Sequence, residues 1–253
     1  MNKLKTDFAV IRPTNLFKEE GVRAWFTLKN NQYRKQNSIA GLNLGYNTSE
    51  KKEVVTQNRL NLLSSLEVNK EWVAFADQVH SNRVRIVIQG GTFPNTDGLI
   101  TSVPGLTIAI QVADCAAILL WDAESKTIGA LHAGWRGAVG DIVPKGINDM
   151  ADQGADPQNM KAFVSPCISL KNFEVGIEVA EQFPDNFVDY EHFEKPHVDL
   201  RRFIRNQLQE GGIPQKHIEV APGCTFEDKE RFYSFRREGK KSGRMMALIQ
   251  ITE

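Results

Sequence analysis

Leu106-Thr107-Ile108-Ala109-Ile110-Gln111-Val112, Ala116-Ala117-Ile118-Leu119-Leu120-Trp121 and Thr127-Ile128-Gly129-Ala130-Leu131 follow one another with only short breaks. Their near-continuous hydrophobicity, rich in Ile, Leu and Val, predicts central strands covered on both faces. Around them the pattern alternates. Val22 to Leu28 and Trp72 to Ala76 read as strands. Val84, Ile86 and Ile88 alternate with Arg85 and Val87, as in a strand with one face more buried than the other. Asn43-Leu44-Gly45-Tyr46-Asn47 is turn-like. Asn47 with Glu50 resembles a capping box for a helix whose stripe runs through Val55, Leu62 and Leu66.

Further on, Asp141 is placed to cap a helix reaching about Ala151, with Pro144 tolerated in its first turn. Asp199 caps a second helix, with Leu200, Phe203, Ile204 and Leu208 inward and Gly211-Gly212 as the stop. Lys161 to Val164, Ile218 to Ala221, Phe232 to Phe235 and Met245 to Ile251 complete the expected strands. Interspersed strands and helices predict a layered α/β protein with a mixed sheet. No repeat or linker breaks the 253 residues, so residues 1–253 are expected to form a single domain.

Lys+Arg and Asp+Glu both number 31, so the formal net charge is zero, which removes the usual electrostatic basis for binding nucleic acid or an anionic membrane. No apolar run approaches the roughly 18 residues of a membrane span. Met1 to Val10 lacks the apolar core of a secretory leader. Cys115, Cys167 and Cys224 are few and widely spaced, as expected of a cytoplasmic protein. Nothing in the sequence sets an oligomeric state.

Phosphate-loop, dinucleotide, nucleophile-elbow, zinc-deaminase and HExxH signatures are all absent. What remains is a discontinuous set beside apolar runs: Asp77-Gln78-Val79-His80, Ala113-Asp114-Cys115, and Leu131-His132-Ala133-Gly134-Trp135-Arg136-Gly137. Strand ends are where side chains converge on ligands. Two imidazoles and a thiolate suit Zn²⁺ and leave a fourth position open, where a bound water acidifies. The same atoms equally allow Cys115 as a nucleophile with His132 as its base, or a buried thiol with two unrelated histidines. Arg136, between two glycines at a strand-to-helix junction, would suit an anion or a surface salt bridge. Arg236, among aromatics, would stack and hold phosphate, or lie on a solvated edge strand. Asp97-Gly98 reads as a turn without a catalytic role.

Taken in order, Gln78-Val79-His80, Asp97 to Thr101, Ala113-Asp114-Cys115, His132 to Gly137, Phe173 to Gly176 and Phe232 to Arg244 resemble the multicopper polyphenol oxidoreductase, or laccase-domain, family. The resemblance runs from Asn43-Leu44-Gly45 to Met245. It implies a three-layer α/β/α sandwich with a mixed β-sheet, similar to a toxin deamidase with a Cys–His pair. It also implies purine nucleoside phosphorylase activity on adenosine, inosine and methylthioadenosine, together with adenosine deaminase activity. The implied metal ligands are His80, Cys115 and His132, holding zinc, with copper as an alternative ion. Asn43, Gln78, Arg136 and Arg236 are the expected substrate-binding residues, with purine nucleosides and phosphate as partners. Asp114 is the expected proton carrier and Arg136 the phosphate holder.

Two positions depart from the family pattern: Ser81 in place of a glycine, and Ser165-Pro166-Cys167 in place of a Gly-Pro start. Cys167 is a candidate for the pocket wall and Cys224 for the core. A blue multicopper laccase needs more imidazoles than the five histidines supply. The resemblance equally allows a hydrolase that edits peptidoglycan precursors. A non-catalytic zinc-binding module has no positive support.

Overall fold

The computed structural model describes residues 8–13, 21–33 and 39–252. Met1 to Asp7, which carry most of the leader expectation, lie outside the described residues. Strands β1 (Val10–Ile11) and β2 (Val22–Thr27) precede helix α1 (Lys52–Ser65). Four short strands follow: β3 (Val73–Asp77), β4 (Val84–Ile86), β5 (Gly91–Pro94) and β6 (Gly98–Thr101). The apolar stretch supplies β7 (Thr107–Val112), β8 (Ala116–Asp122) and β9 (Thr127–Ala133). Then come α2 (Trp135–Val139), α3 (Ile142–Ala151), β10 (Lys161–Val164) and α4 (Ile177–Ala180). A small ladder of β11 (Val188–Asp189) and β12 (His197–Val198) leads to α5 (Leu200–Glu210), β13 (Ile218–Val220), α6 (Phe235–Glu238) and β14 (Met245–Ile251).

The α/β class with mixed strands is observed, and its β layer is double. One sheet runs β1-β2-β14-β7-β3-β5 and the other β13-β10-β8-β9-β6-β4. In the first, β14 is antiparallel to β7 while β3 is parallel to it. In the second, β8 is antiparallel to β9 while β10 is parallel to β13. β8 and β9 form a hairpin, whereas β7 belongs to the opposite sheet. The chain therefore crosses between sheets at Ala113-Asp114-Cys115.

Period-two alternation sends successive side chains of each strand into different cores. Ile108, Ile110 and Ile249 meet Ala117, Leu119 and Ala130 between the sheets. Ile118, Leu120 and Leu131 pack outward on Ile142 and Ile147 of α3 and Ile204 and Leu208 of α5. Leu62 of α1 and Leu66 at its C-terminal cap cover Ala109 and Leu248 on the far face of the first sheet. Burial on both sides is why β7, β8 and β9 carry so few polar residues.

Several local expectations change. Lys51, without a side-chain cap bond, precedes α1, so Asn47 and Glu50 do not form a capping box. The Glu50 carboxylate instead accepts from the Ile39 and Lys51 amides. Val55, Leu62 and Leu66 are nevertheless the buried stripe. Trp72 lies in a 3-10 turn and is exposed, leaving the strand to begin at Val73. β4 ends at Ile86, and the Val87 amide turns in to the Ile100 carbonyl. Val87 is thereby buried while Ile86 and Ile88 are exposed, the reverse of the expected face. Asp141 sits at the N-cap of α3 with φ +65° and makes no capping bond. Asp199 does cap α5, accepting from the Arg202 amide at 3.0 Å. Phe232 to Phe235 is not a strand, because the Ser234 hydroxyl caps the Arg237 amide and starts α6.

Candidate metal centre and its cavity

Three chain segments meet at the seam between the sheets. The turn after β3 carries His80, whose backbone adopts φ +61°. The crossover carries Cys115, directly after Asp114 at φ +81°. β9 carries the buried His132. One side-chain donor atom from each of His80, Cys115 and His132 lies within 4.8 Å of the others. The two imidazole centroids are 4.8 Å apart at 72°.

Asp97 organises this trio. Its Oδ1 accepts from His132 Nδ1 at 2.8 Å, which leaves Nε2 as the free ring nitrogen. The same carboxylate accepts from the Val79, His80 and Ser81 amides and from the Ser81 hydroxyl. One buried group thus fixes the ring of one histidine and the backbone of the other. Ser81, where the family pattern has glycine, adds the hydroxyl bond at 2.7 Å.

Burial alone would raise the Asp97 pKa, but the bonds from His132 and Ser81 hold it down at about 2. Burial would likewise raise the Cys115 thiol. The two imidazoles, His132 above all, bring it below its ordinary value. Burial would lower the His132 pKa, and Cys115 and Asp97 together raise it instead. In the absence of an ion each group thus favours the charged form of the other.

A nitrogen, sulfur, nitrogen donor set with one histidine held by a carboxylate is what zinc takes with a position left open. Gly134 leaves the room: a Cβ there would lie 2.8 Å from Cys115 Sγ and 3.2 Å from His80 Cδ2. The residues fit a single ion. They do not fit a multicopper set, since His192 pairs with Asp189, His197 bonds the Leu170 carbonyl and stacks on Phe193, and His217 stands apart from the trio.

A cavity of about 500 Å³ opens over the trio. Gln78, Asp114 and Arg236, three of the residues singled out in the sequence, are among its lining residues. The Gln78 amide pairs with both backbone groups of Gln111, at 2.7 Å each. Asp114 accepts from the Thr225 and Ser234 hydroxyls and the Arg236 amide, tying separate loops to the crossover. Arg236 donates to the Glu174 carbonyl and lies near the Phe173 ring.

Asn43 and Arg136 are not among the lining residues. Asn43 is fully buried, and its side chain is spent on Gly45, Thr48 and the Arg244 amide. Arg136 is exposed because α2 starts at Trp135 and turns Gly137 and Ala138, not Arg136, towards the interior. Its guanidinium lies over the neighbouring Trp135 ring. Cys167 is a core residue rather than a wall residue, with its thiol pushed up to about 11 by burial. Cys224 is also buried, and its sulfur accepts from the Ser169 amide.

Sequence reasoning missed Asp97, which reads as a turn residue but is the most heavily hydrogen-bonded group of the site. It also missed Arg59, Tyr46 and Phe75 on the cavity wall, which Arg244, from the Phe232 to Arg244 stretch singled out in the sequence, shares. No short-range signal marks them.

Fold and site together define an α/β protein with a candidate His–Cys–His metal centre beneath a cavity walled by arginines and aromatics. The chain belongs to the family described as multi-copper polyphenol oxidoreductase laccase, which matches residues 23–252. It is 37% identical to a purine nucleoside phosphorylase of Deinococcus radiodurans, over 84% of this chain and 83% of the relative. It is 32% identical to an adenosine deaminase from an unknown prokaryotic organism, over 89% of this chain and 92% of the relative. Among solved structures it resembles the hypothetical protein YfiH of Bacillus licheniformis, with a TM-score of 0.84 and 28% identity over 91% of this chain and 92% of that one. YlmD of Geobacillus stearothermophilus matches with a TM-score of 0.84 and 26% identity, over 92% of this chain and 93% of that one. No helix among the described residues is long and apolar enough to cross a membrane.

Proposed function

We propose that the chain is a zinc-dependent purine nucleoside enzyme. It would cleave adenosine, inosine or methylthioadenosine with phosphate, giving free base and sugar 1-phosphate, and it would also deaminate adenosine. The observation that carries this is the convergence of His80, Cys115 and His132 on one point at the floor of a ligand-sized cavity, with Asp97 bonded behind His132. The names of the relatives support the substrate class.

When bound, zinc would supply Lewis-acid chemistry and an acidified water. The chain's own residues do the rest. Asp97 keeps His132 Nε2 and the His80 turn aimed at the same point. Phe235 and Phe173 on the wall offer apolar faces for a purine. Arg236 and Arg244 place positive charge along the same wall, where phosphate and the departing base gather negative charge. Asp114 is the carboxylate assigned to proton transfer, and its bonds to Thr225, Ser234 and Arg236 fix the loops around the substrate.

The test combines metal analysis with turnover. Protein purified without added metal is expected to hold about one zinc per chain, lost in Cys115→Ala. The same preparation should release adenine or hypoxanthine only when phosphate is present. Full activity in a His80→Ala/His132→Ala double variant would overturn the assignment.

The line Asp97–His132–Cys115 also favours a second reading, a thiol hydrolase of amide bonds such as those in peptidoglycan precursors. Amide cleavage without phosphate, retained after chelation, is its signature.

A further inference from the structure

Arg59 of α1 is only 8% exposed, yet no carboxylate among the described residues pairs with it. Its Nε donates to the Leu44 carbonyl at 2.9 Å. Its guanidinium carbon lies 4.2 Å from the Tyr46 ring centroid and 4.6 Å from that of Phe75. Among the described residues the terminal nitrogens find no acceptor, they are not sealed from solvent, and they belong to a residue lining the cavity. A guanidinium removed from water without a partner is costly and is retained where a ligand completes it. Burial lowers its pKa to about 10, which keeps it protonated at neutral pH.

The surroundings repeat the same sign. Lys52, about two turns earlier on α1, and Arg244 line the same cavity. Arg59 and Arg244 hold one loop from two sides. Arg59 bonds the Leu44 carbonyl, while the Leu44 amide donates to the Arg244 carbonyl and the Arg244 amide donates to Asn43 Oδ1. Arg244 feels the charges of Cys115 and Asp114, whereas among the described residues only the Tyr46 hydroxyl, and no carboxylate, offsets Arg59. Two rings and one backbone bond fix the guanidinium, so its free edge presents a preset fork, the geometry that grips two oxygens of a phosphate.

We propose that Arg59 is the phosphate subsite of the cavity, binding a phosphate group through the free edge of its guanidinium, with Lys52 and Arg244 flanking. The identity of the ligand rests on the nucleoside-phosphorolysis reading, and the site takes over the role that the sequence suggested for Arg136. The phosphate belongs either to inorganic phosphate as co-substrate or to a phosphate ester on the nucleoside.

The experiment titrates inorganic phosphate into the full-length, zinc-loaded chain by calorimetry, for wild type, Arg59→Gln and Arg59→Met. The methionine variant keeps an unbranched stem between the rings, and circular dichroism checks that each is folded. Each folded variant is expected to bind phosphate about tenfold more weakly or worse, with a matching rise in the phosphate KM. Adenosine 5′-monophosphate is then added as competitor. Displacement of phosphate that disappears in the variants identifies the ester as occupant, and no displacement identifies free phosphate; either supports the subsite. Phosphate binding of wild-type strength in a folded variant, or no binding by wild type, overturns it. Base release by wild type is measured alongside. Its absence would sink the nucleoside reading while Arg59-dependent phosphate binding still upheld the subsite. Base release with phosphate affinity indifferent to Arg59 would do the opposite.

Discussion

His132 Nδ1 lies 2.8 Å from Asp97 Oδ1, and both side chains are shut off from solvent. That bond selects which ring nitrogen His132 presents to Cys115 and His80. Replacing such a carboxylate behind a metal-binding histidine typically costs about 10–100-fold in metal affinity. Asp97→Asn should therefore weaken zinc binding in that range, read by competition with a chromophoric chelator. Wild-type affinity would show that Asp97 only shapes the turn.

Acid stability follows from the same residue. The folded pKa of Asp97, about 2, lies below its ordinary value of 3.8. Its contribution is therefore present above about pH 4 and is lost as pH falls through about 2. The shift corresponds to about 2 kcal/mol. In chelator-treated protein, denaturant midpoints should fall across this window for wild type and fall less for Asp97→Asn. Parallel profiles would refute the assignment.

Gly134 tests the room around the trio without touching a ligand. Its backbone is extended, so alanine is tolerated conformationally, but the added methyl would lie 2.8 Å from Cys115 Sγ. Gly134→Ala should lose zinc and at least about tenfold in turnover, because a sub-ångström displacement in a preorganised site is enough for that. Its secondary structure by circular dichroism should match wild type. Retained zinc with retained turnover would show that the centre has slack.

The cysteines should separate by reactivity. Cys115 is held below the ordinary thiol pKa by the imidazoles, while burial pushes Cys167 up to about 11. Metal-free protein treated with iodoacetamide at pH 7 should label Cys115 first, and zinc should protect it. Mass mapping of the modified peptide reads the result, and preferential labelling of Cys167 would contradict it.

How much was legible depended on whether a signal was local. β7, β8 and β9 were plain because burial on two faces removes polar residues from a strand. Their division between two sheets was not, since hydrophobicity says that a face is covered and not by what. His80, Cys115 and His132 stood out as rare residues next to apolar runs. Asp97 did not, because an Asp-Gly pair has the same local pattern whether the carboxylate faces water or a histidine 35 positions away. Nothing local distinguishes Arg59 from any other charge on a helix. Only the approach of Phe75 and of the 43–47 loop makes it buried. Arg136 was misjudged for the converse reason. The flanking glycines mark a tight junction, but the direction of the first turn of α2 decides where the side chain goes. Ser234 carried a helix cap inside an aromatic run, and the run was the louder signal.

The trio straddles the seam: His80 follows a strand of one sheet, His132 belongs to a strand of the other, and Cys115 sits on the bridge between them. Neither half of the molecule owns a coordination site by itself. The full three-donor set can therefore assemble only once the two halves have docked, which would make tight ion uptake a late clock on assembly. A variant that loosened the docking would shed its ion while each half kept its own hydrogen-bond ladder.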